Sequence, residues 1–372
     1  MSYLSVKNVK IVGMSACVPK DVEENISLPI FKDREEAQRV IDSTGIERKR
    51  VVKNGTTASD LAFQSVNELL ADLGWEKESI DCLVYVGISR DYIAPITSAI
   101  LQGRLGLRQD CFCIDLPLGC SGWVFGLSTI GSLLSHGDMK RGLLVNAETN
   151  SLNRSKRDKT VNPLFGDAGT VTALEFDSNW TEPMQFEFGA DGTNYKAVWT
   201  EFGGIRNPTT PEALREKEVE PGIWRKGTDM VVNGMDVFSF AIRVPPKSLQ
   251  RLVDHFEIDL EKIDYLFLHQ ANKYIDDRIR KKFNFPPEKV PYCLNDYGNV
   301  SGASIPLTMV TRCATELKGR RLNNLACGFG IGLAWASVHF IIEPLRTVVL
   351  SDYAGDDADS HSGHGNETLK VS

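Results

Sequence analysis

The chain has 372 residues, of which 42% are hydrophobic and 24% charged, an ordinary globular composition with room for one large core or two units. Its formal net charge of −7 argues against the basic footprint of a nucleic-acid-binding protein. No apolar run reaches the ~18 residues that a membrane span needs.

The opening stretch, "MSYLSVKNVKIVGMSACVP", alternates lysine with short apolar runs and predicts a first strand. It lacks the apolar core of a secretory signal, so the protein is expected in the cytoplasm. Further on, "IDCLVYVGIS" (80–89) and "CIDLPLGCSG" (113–122) predict strands, and "WVFGLSTIGSLL" a helix. The strand "RGLLVNAET" follows. Residues 176–225 are polar and broken by prolines and glycines, an elaborated connection expected to lie over a site.

The pattern then returns. "IDYLFLHQAN" (263–272) matches 80–89, and "CLNDYGNVSG" (293–302) matches 113–122 with the same Cys-to-Ser-Gly spacing. A helical stretch and an apolar, Gly-ended stretch follow in both places, which points to an internal duplication. Alternating strands and helices predict an α/β fold with largely parallel sheets. Residues 1–175 form the first half, 176–225 the connection and 226–346 the second half. Residues 347–372 form a tail poor in large apolar groups after Leu350 and expected to be disordered.

Eight cysteines are scattered along the chain, which is neither a disulfide framework nor a metal-binding spacing. Most are expected as small buried hydrophobes. Cys120 differs, because it ends a strand and begins a helix, between Gly119 and Ser121. Ligand sites in such folds lie outside the carboxyl ends of strands. The duplication places Asn299 near the position equivalent to Cys120, and His269 at the end of the other matched strand. A helix start is expected to lower the Cys120 pKa. His269 and Asn299 can both donate hydrogen bonds to an oxyanion. No metal or redox cofactor is called for.

The stretches "STGIERKR" (43–50), "GCSGWVFGL" (119–127), "LFGDAGT" (164–170), "HQAN" (269–272), "YGNVSGAS" (297–304) and "GFGIGLAW" (328–335) run in one order over nearly all of residues 5–345. In this the chain resembles the β-ketoacyl-acyl-carrier-protein synthase III group of the thiolase superfamily. The resemblance implies a five-layer αβαβα fold, a homodimer, and a catalytic triad of Cys120, His269 and Asn299. It implies an oxyanion hole from the backbone N–H groups of Cys120 and Ile331. The implied reaction loads an acyl group from acyl-coenzyme A or an acyl carrier protein onto Cys120, then condenses it with malonyl-carrier protein.

Several positions depart from the family pattern. Its tryptophan and two arginines that grip the coenzyme A nucleotide are matched by Arg39, Ser43 and Lys159. Met235 replaces an asparagine near the pantetheine arm, and Tyr274 an arginine linked to carrier docking. Ala94 stands where relatives place an aromatic residue that reaches the partner's acyl tunnel. Thr44, Gly234, Phe238 and Ala271 complete the implied substrate contacts. The principal rival function is an acyltransferase on the same fold that passes the acyl group to an oxygen or nitrogen without decarboxylation. A non-catalytic partner subunit is a further rival, which the intact triad opposes. A papain-like hydrolase shares the residue types but not their order.

Overall fold

The computed structural model describes residues 2–53 and 55–355. Two sheets face each other across a buried layer of helices. The first sheet runs in the order Thr347–Asp352, Val9–Val18, Asp167–Phe176, Arg141–Thr149, Cys82–Val86 and Phe112–Leu116. The second runs Ser2–Val6, Met184–Ala190, Ala334–Ile342, Leu322–Gly330 and Tyr265–Leu268. Cys82–Val86 is parallel to both its neighbours, and Tyr265–Leu268 is parallel to Leu322–Gly330. Asp167–Phe176 and its counterpart Ala334–Ile342 are antiparallel to theirs.

Helices Gly122–Leu134 and Ser304–Arg312 fill the space between the sheets, in one apolar cluster with residues from both. The first of these is largely apolar, and its Ser128, Thr129 and Ser132 hydroxyls donate to carbonyls of the same helix, which suits a buried helix. A Cβ at Gly126 would come within 2.5 Å of Leu144 Cδ1, so the glycine lets helix and sheet approach. Helices Ala58–Leu73 and Thr97–Leu105 cover the outer face of the first sheet. Helices Val244–Phe256 and Lys273–Lys282 cover that of the second, completing five layers of a thiolase-like fold.

Four local expectations are corrected. The opening stretch forms two strands in different sheets, divided at Asn8, whose φ of 62° turns the chain. The connection 176–225 contains Met184–Ala190, an interior strand of the second sheet. The expected tail begins with a strand, Thr347–Asp352, which pairs in parallel with Val9–Val18 and gains a ladder of backbone hydrogen bonds. Residues 356–372, the rest of that tail, lie outside the described residues. Finally, "CLNDYGNVSG" contains a short helix, Leu294–Tyr297, where the first half has its edge strand. Of what remains of the connection, Val198–Thr200 pairs with Met230–Val232 of the second half, and Lys217–Glu220 pairs with Ile223–Arg225.

Candidate active site

Cys120, His269 and Asn299 line one cavity of about 190 Å³ at the inner ends of the two sheets. Cys120 stands two residues before the central helix. The tip of the hairpin formed by Leu322–Gly330 and Ala334–Ile342 presses against it. A Cβ on Gly330 would fall 2.7 Å from the sulfur, so only glycine fits there. The backbone N–H groups of Ile331 and of Cys120 itself reach the thiol, and Ser301 Oγ lies 3.8 Å from Sγ.

Burial pushes the Cys120 thiol above its ordinary value, and these donors only partly offset that. The expected acidification is thus overturned, because desolvation of a thiolate outweighs the helix-start donors. A thiol raised in this way gains thiolate throughout the neutral and mildly alkaline range. Acyl loading should therefore climb from about pH 6 to 9 without levelling near neutrality. Rapid-quench intact-mass measurements would check this, and a plateau below about pH 7 would contradict the assignment.

His269 follows the strand Tyr265–Leu268. Its N–H donates to the Cys327 carbonyl at 2.9 Å, and the Ala271 N–H donates to its carbonyl at 2.9 Å. The ring packs edge-on to Phe329 at 5.5 Å. Burial pushes its pKa down to about 3, against a backbone contact with Ser301. The imidazole is thus neutral at physiological pH and carries a single N–H donor.

Asn299 is tied at its backbone to the neighbouring loop, through Leu164 at 2.8 Å and Gly166 at 3.1 Å. Its Oδ1 accepts the Ser301 N–H at 2.9 Å, which leaves the carboxamide Nδ2 as the donor end. Ser301 has a φ of 53°, an uncommon conformation for a non-glycine residue. That turn lets its backbone hold Asn299 while its hydroxyl touches Cys120. Sequence reasoning missed Ser301 as a site residue, although it stands in "GNVSG".

Glu148 was also missed. It is fully buried and accepts the N–H groups of Ile88 and Ser89, each at 3.1 Å, and the Ser89 hydroxyl at 2.7 Å. Burial pushes its pKa up to about 7 despite those bonds. It pins the loop that carries Ile88 into the cavity wall.

Of the expected substrate contacts, Gly234, Phe238 and Ala271 line the cavity. Met235 and Tyr274 are 78% and 47% exposed and stand outside the lining. Ala94 is exposed and also outside it. Arg39 pairs with Glu35 at 2.8 Å, and Lys159 with Glu36 at 2.8 Å. The hydroxyls of Ser43 and Thr44 both donate to the Val40 carbonyl, at 2.9 and 2.7 Å. The structure therefore does not bring these four into the cavity, and it neutralises both cations locally.

A thiol, a neutral imidazole and a carboxamide at the strand ends of a duplicated five-layer fold define a thiolase-like condensing enzyme. The comparisons agree. Residues 114–192 match the model for 3-oxoacyl-[acyl-carrier-protein] synthase III, and residues 253–342 match that for its C-terminal domain. The Beta-ketoacyl-[acyl-carrier-protein] synthase III of Streptococcus agalactiae is 32% identical over 88% of this chain and 98% of its own. That of Symbiobacterium thermophilum is 30% identical over 90% and 98%. The crystal structure of a 3-oxoacyl-(acyl-carrier protein) synthase from Burkholderia xenovorans has a TM-score of 0.88 at 33% identity, covering 94% of this chain and 99% of that one. The priming β-ketosynthase of the R1128 polyketide pathway shares the fold, with a TM-score of 0.76 at 19% identity. The chain belongs to the β-ketoacyl-[acyl-carrier-protein] synthase III family, and it is a transferase of the condensing type. Among the described residues, no helix is long and apolar enough to cross a membrane.

Proposed function

We propose that the protein is an acyltransferase that loads an acyl group on Cys120 and extends it by decarboxylative condensation. The observation that carries this reading is the convergence of Cys120, His269 and Asn299 on one cavity. The Cys120 sulfur attacks the thioester carbonyl of an acyl-coenzyme A or acyl-carrier-protein donor. The N–H groups of Cys120 and Ile331 stabilise the oxyanion, and the donor's thiol leaves with the proton. A malonyl-carrier thioester then enters. Its carboxyl carbon leaves as carbon dioxide, and the bond electrons pass into an enolate whose oxygen is held by His269 and Asn299. The enolate carbon attacks the acyl-cysteine, the carbon–sulfur bond breaks, and a β-ketoacyl thioester departs. Dividing the condensation into two steps is the advantage of covalent catalysis.

A homodimer fits the edge strand Phe112–Leu116 and the exposed apolar side chains of Tyr92, Ile93 and Leu152. A cytoplasmic setting fits eight free cysteines. The test is carbon dioxide release from labelled malonyl-carrier protein by the acyl-loaded protein. The expected result is one carbon dioxide per β-ketoacyl product. Acyl transfer to an oxygen or nitrogen nucleophile without that release would overturn the reading.

A further inference from the structure

The inner end of the cavity is built from aliphatic and aromatic side chains. Phe165 and Met230 form a small buried cluster with Val161, against which Ile88, Leu164, Val198 and Val232 pack. Asn150 shares the cavity lining with these walls and with Cys120. It is 1% exposed, and neither its Oδ1 nor its Nδ2 has a hydrogen-bond partner among the described residues. Buried polar atoms are nearly always paired, so an unpaired carboxamide on a residue that lines a ligand cavity calls for a ligand group.

The backbone holds Asn150 in place. It opens the 3-10 turn Asn150–Leu152 directly after the strand Arg141–Thr149. On one side the Thr149 N–H donates to Ser89 Oγ at 3.0 Å, and on the other the Ser151 N–H donates to the buried Asp167 carboxylate at 2.8 Å. A carboxamide anchored in this way offers one donor and one acceptor to whatever enters. The malonyl unit is already served by the His269 and Asn299 donors, and the mouth by Gly234, Phe238 and Ala271. The group left to meet Asn150 is the acyl chain on Cys120.

We propose that Asn150 selects the acyl donor, and that the group loaded on Cys120 carries an oxygen substituent, hydroxyl or keto, that hydrogen-bonds its carboxamide. This rests on the acyl-enzyme reading above. A site with a polar group to satisfy disfavours the analogue that lacks the partner, because the group then stays unpaired.

The test uses pantetheine thioesters, so that contacts at the mouth are common to all donors. Butanoyl, 3-hydroxybutanoyl, 4-hydroxybutanoyl and 3-oxobutanoyl thioesters are compared by the rate at which their mass appears on Cys120. At least one oxygenated donor should load about 10- to 100-fold faster than butanoyl. Asn150→Leu, or Asn150→Ala if the leucine variant misfolds, should bring that ratio to about 1. Wild-type loading of butanoyl at or above the rate of every oxygenated donor would overturn the proposal, and so would a ratio unchanged in the variant. Failure of all four to acylate Cys120 would instead overturn the acyl-enzyme reading, and this inference with it.

Discussion

Cys120→Ala should take up no acyl group from any thioester, whereas Cys113→Ala should load like the unaltered protein. Burial pushes Cys17, Cys82, Cys313 and Cys327 up to about 12 and Cys293 to about 11, so none of these offers thiolate near neutrality. Cys111 is raised as well, chiefly by its contact with Cys113. Cys113 is the competitor, being half-buried on the edge strand with its pKa lowered by the Cys111 side chain. A general alkylating reagent reports acidity and exposure, and would label Cys113 readily. An acyl thioester also needs a cavity and oxyanion donors, and Cys120 has both. Peptide mapping after acyl loading decides the matter, and acyl mass on Cys113 would reject the assignment.

His269→Ala and Asn299→Ala should each lower carbon dioxide release by about 10²–10³-fold, the usual cost of one oxyanion donor. Acyl loading should change far less, since the oxyanion of that step is served by backbone N–H groups. Asn299 needs a finer variant, because its Oδ1 also holds Ser301, whose hydroxyl touches Cys120. Asn299→Asp keeps that acceptor and removes the Nδ2 donor, at the cost of an ionisable carboxyl in the cavity. It should therefore retain more acyl loading than the alanine variant while losing decarboxylation at least as heavily. Single-turnover measurement of the two steps separates the roles. Equal collapse of both in Asn299→Asp, with the fold intact, would refute the division.

The two α/β halves were legible in the sequence because duplication repeats a pattern, and the repeat set Cys120, His269 and Asn299 at or near strand ends, whereas the five layers came from the family resemblance. The strand Met184–Ala190 was not legible, for a specific reason. It buries Glu187, paired with Arg251 at 2.7 Å and bonded to Ser248, so its face toward the helix Val244–Phe256 includes a carboxylate and reads as polar. The division at Asn8 was hidden because one residue in a left-handed conformation leaves little trace between two apolar runs. Thr347–Asp352 was absorbed into the tail, since a short edge strand needs only a few apolar residues. The acidity of Cys120 could not be read locally, because it depends on burial by the Gly330 hairpin some two hundred residues away. Asn150 was invisible for a related reason. An asparagine after a strand usually marks a turn, and only the assembled walls leave its carboxamide without a partner.

The terminal strands cross over between the halves, Ser2–Val6 to the second sheet and Thr347–Asp352 to the first. Synthesis therefore cannot complete the first sheet before the strands of the second have been made. The first sheet stays one strand short until nearly all the described chain has left the ribosome. Its incomplete edge, Val9–Val18, is meanwhile open to mispairing with another nascent chain. Ser2–Val6 waits for a sheet whose remaining members begin only at Met184. Domain-by-domain folding during translation, the common route for long chains, therefore leaves the first half with an unpaired edge until the second half is made.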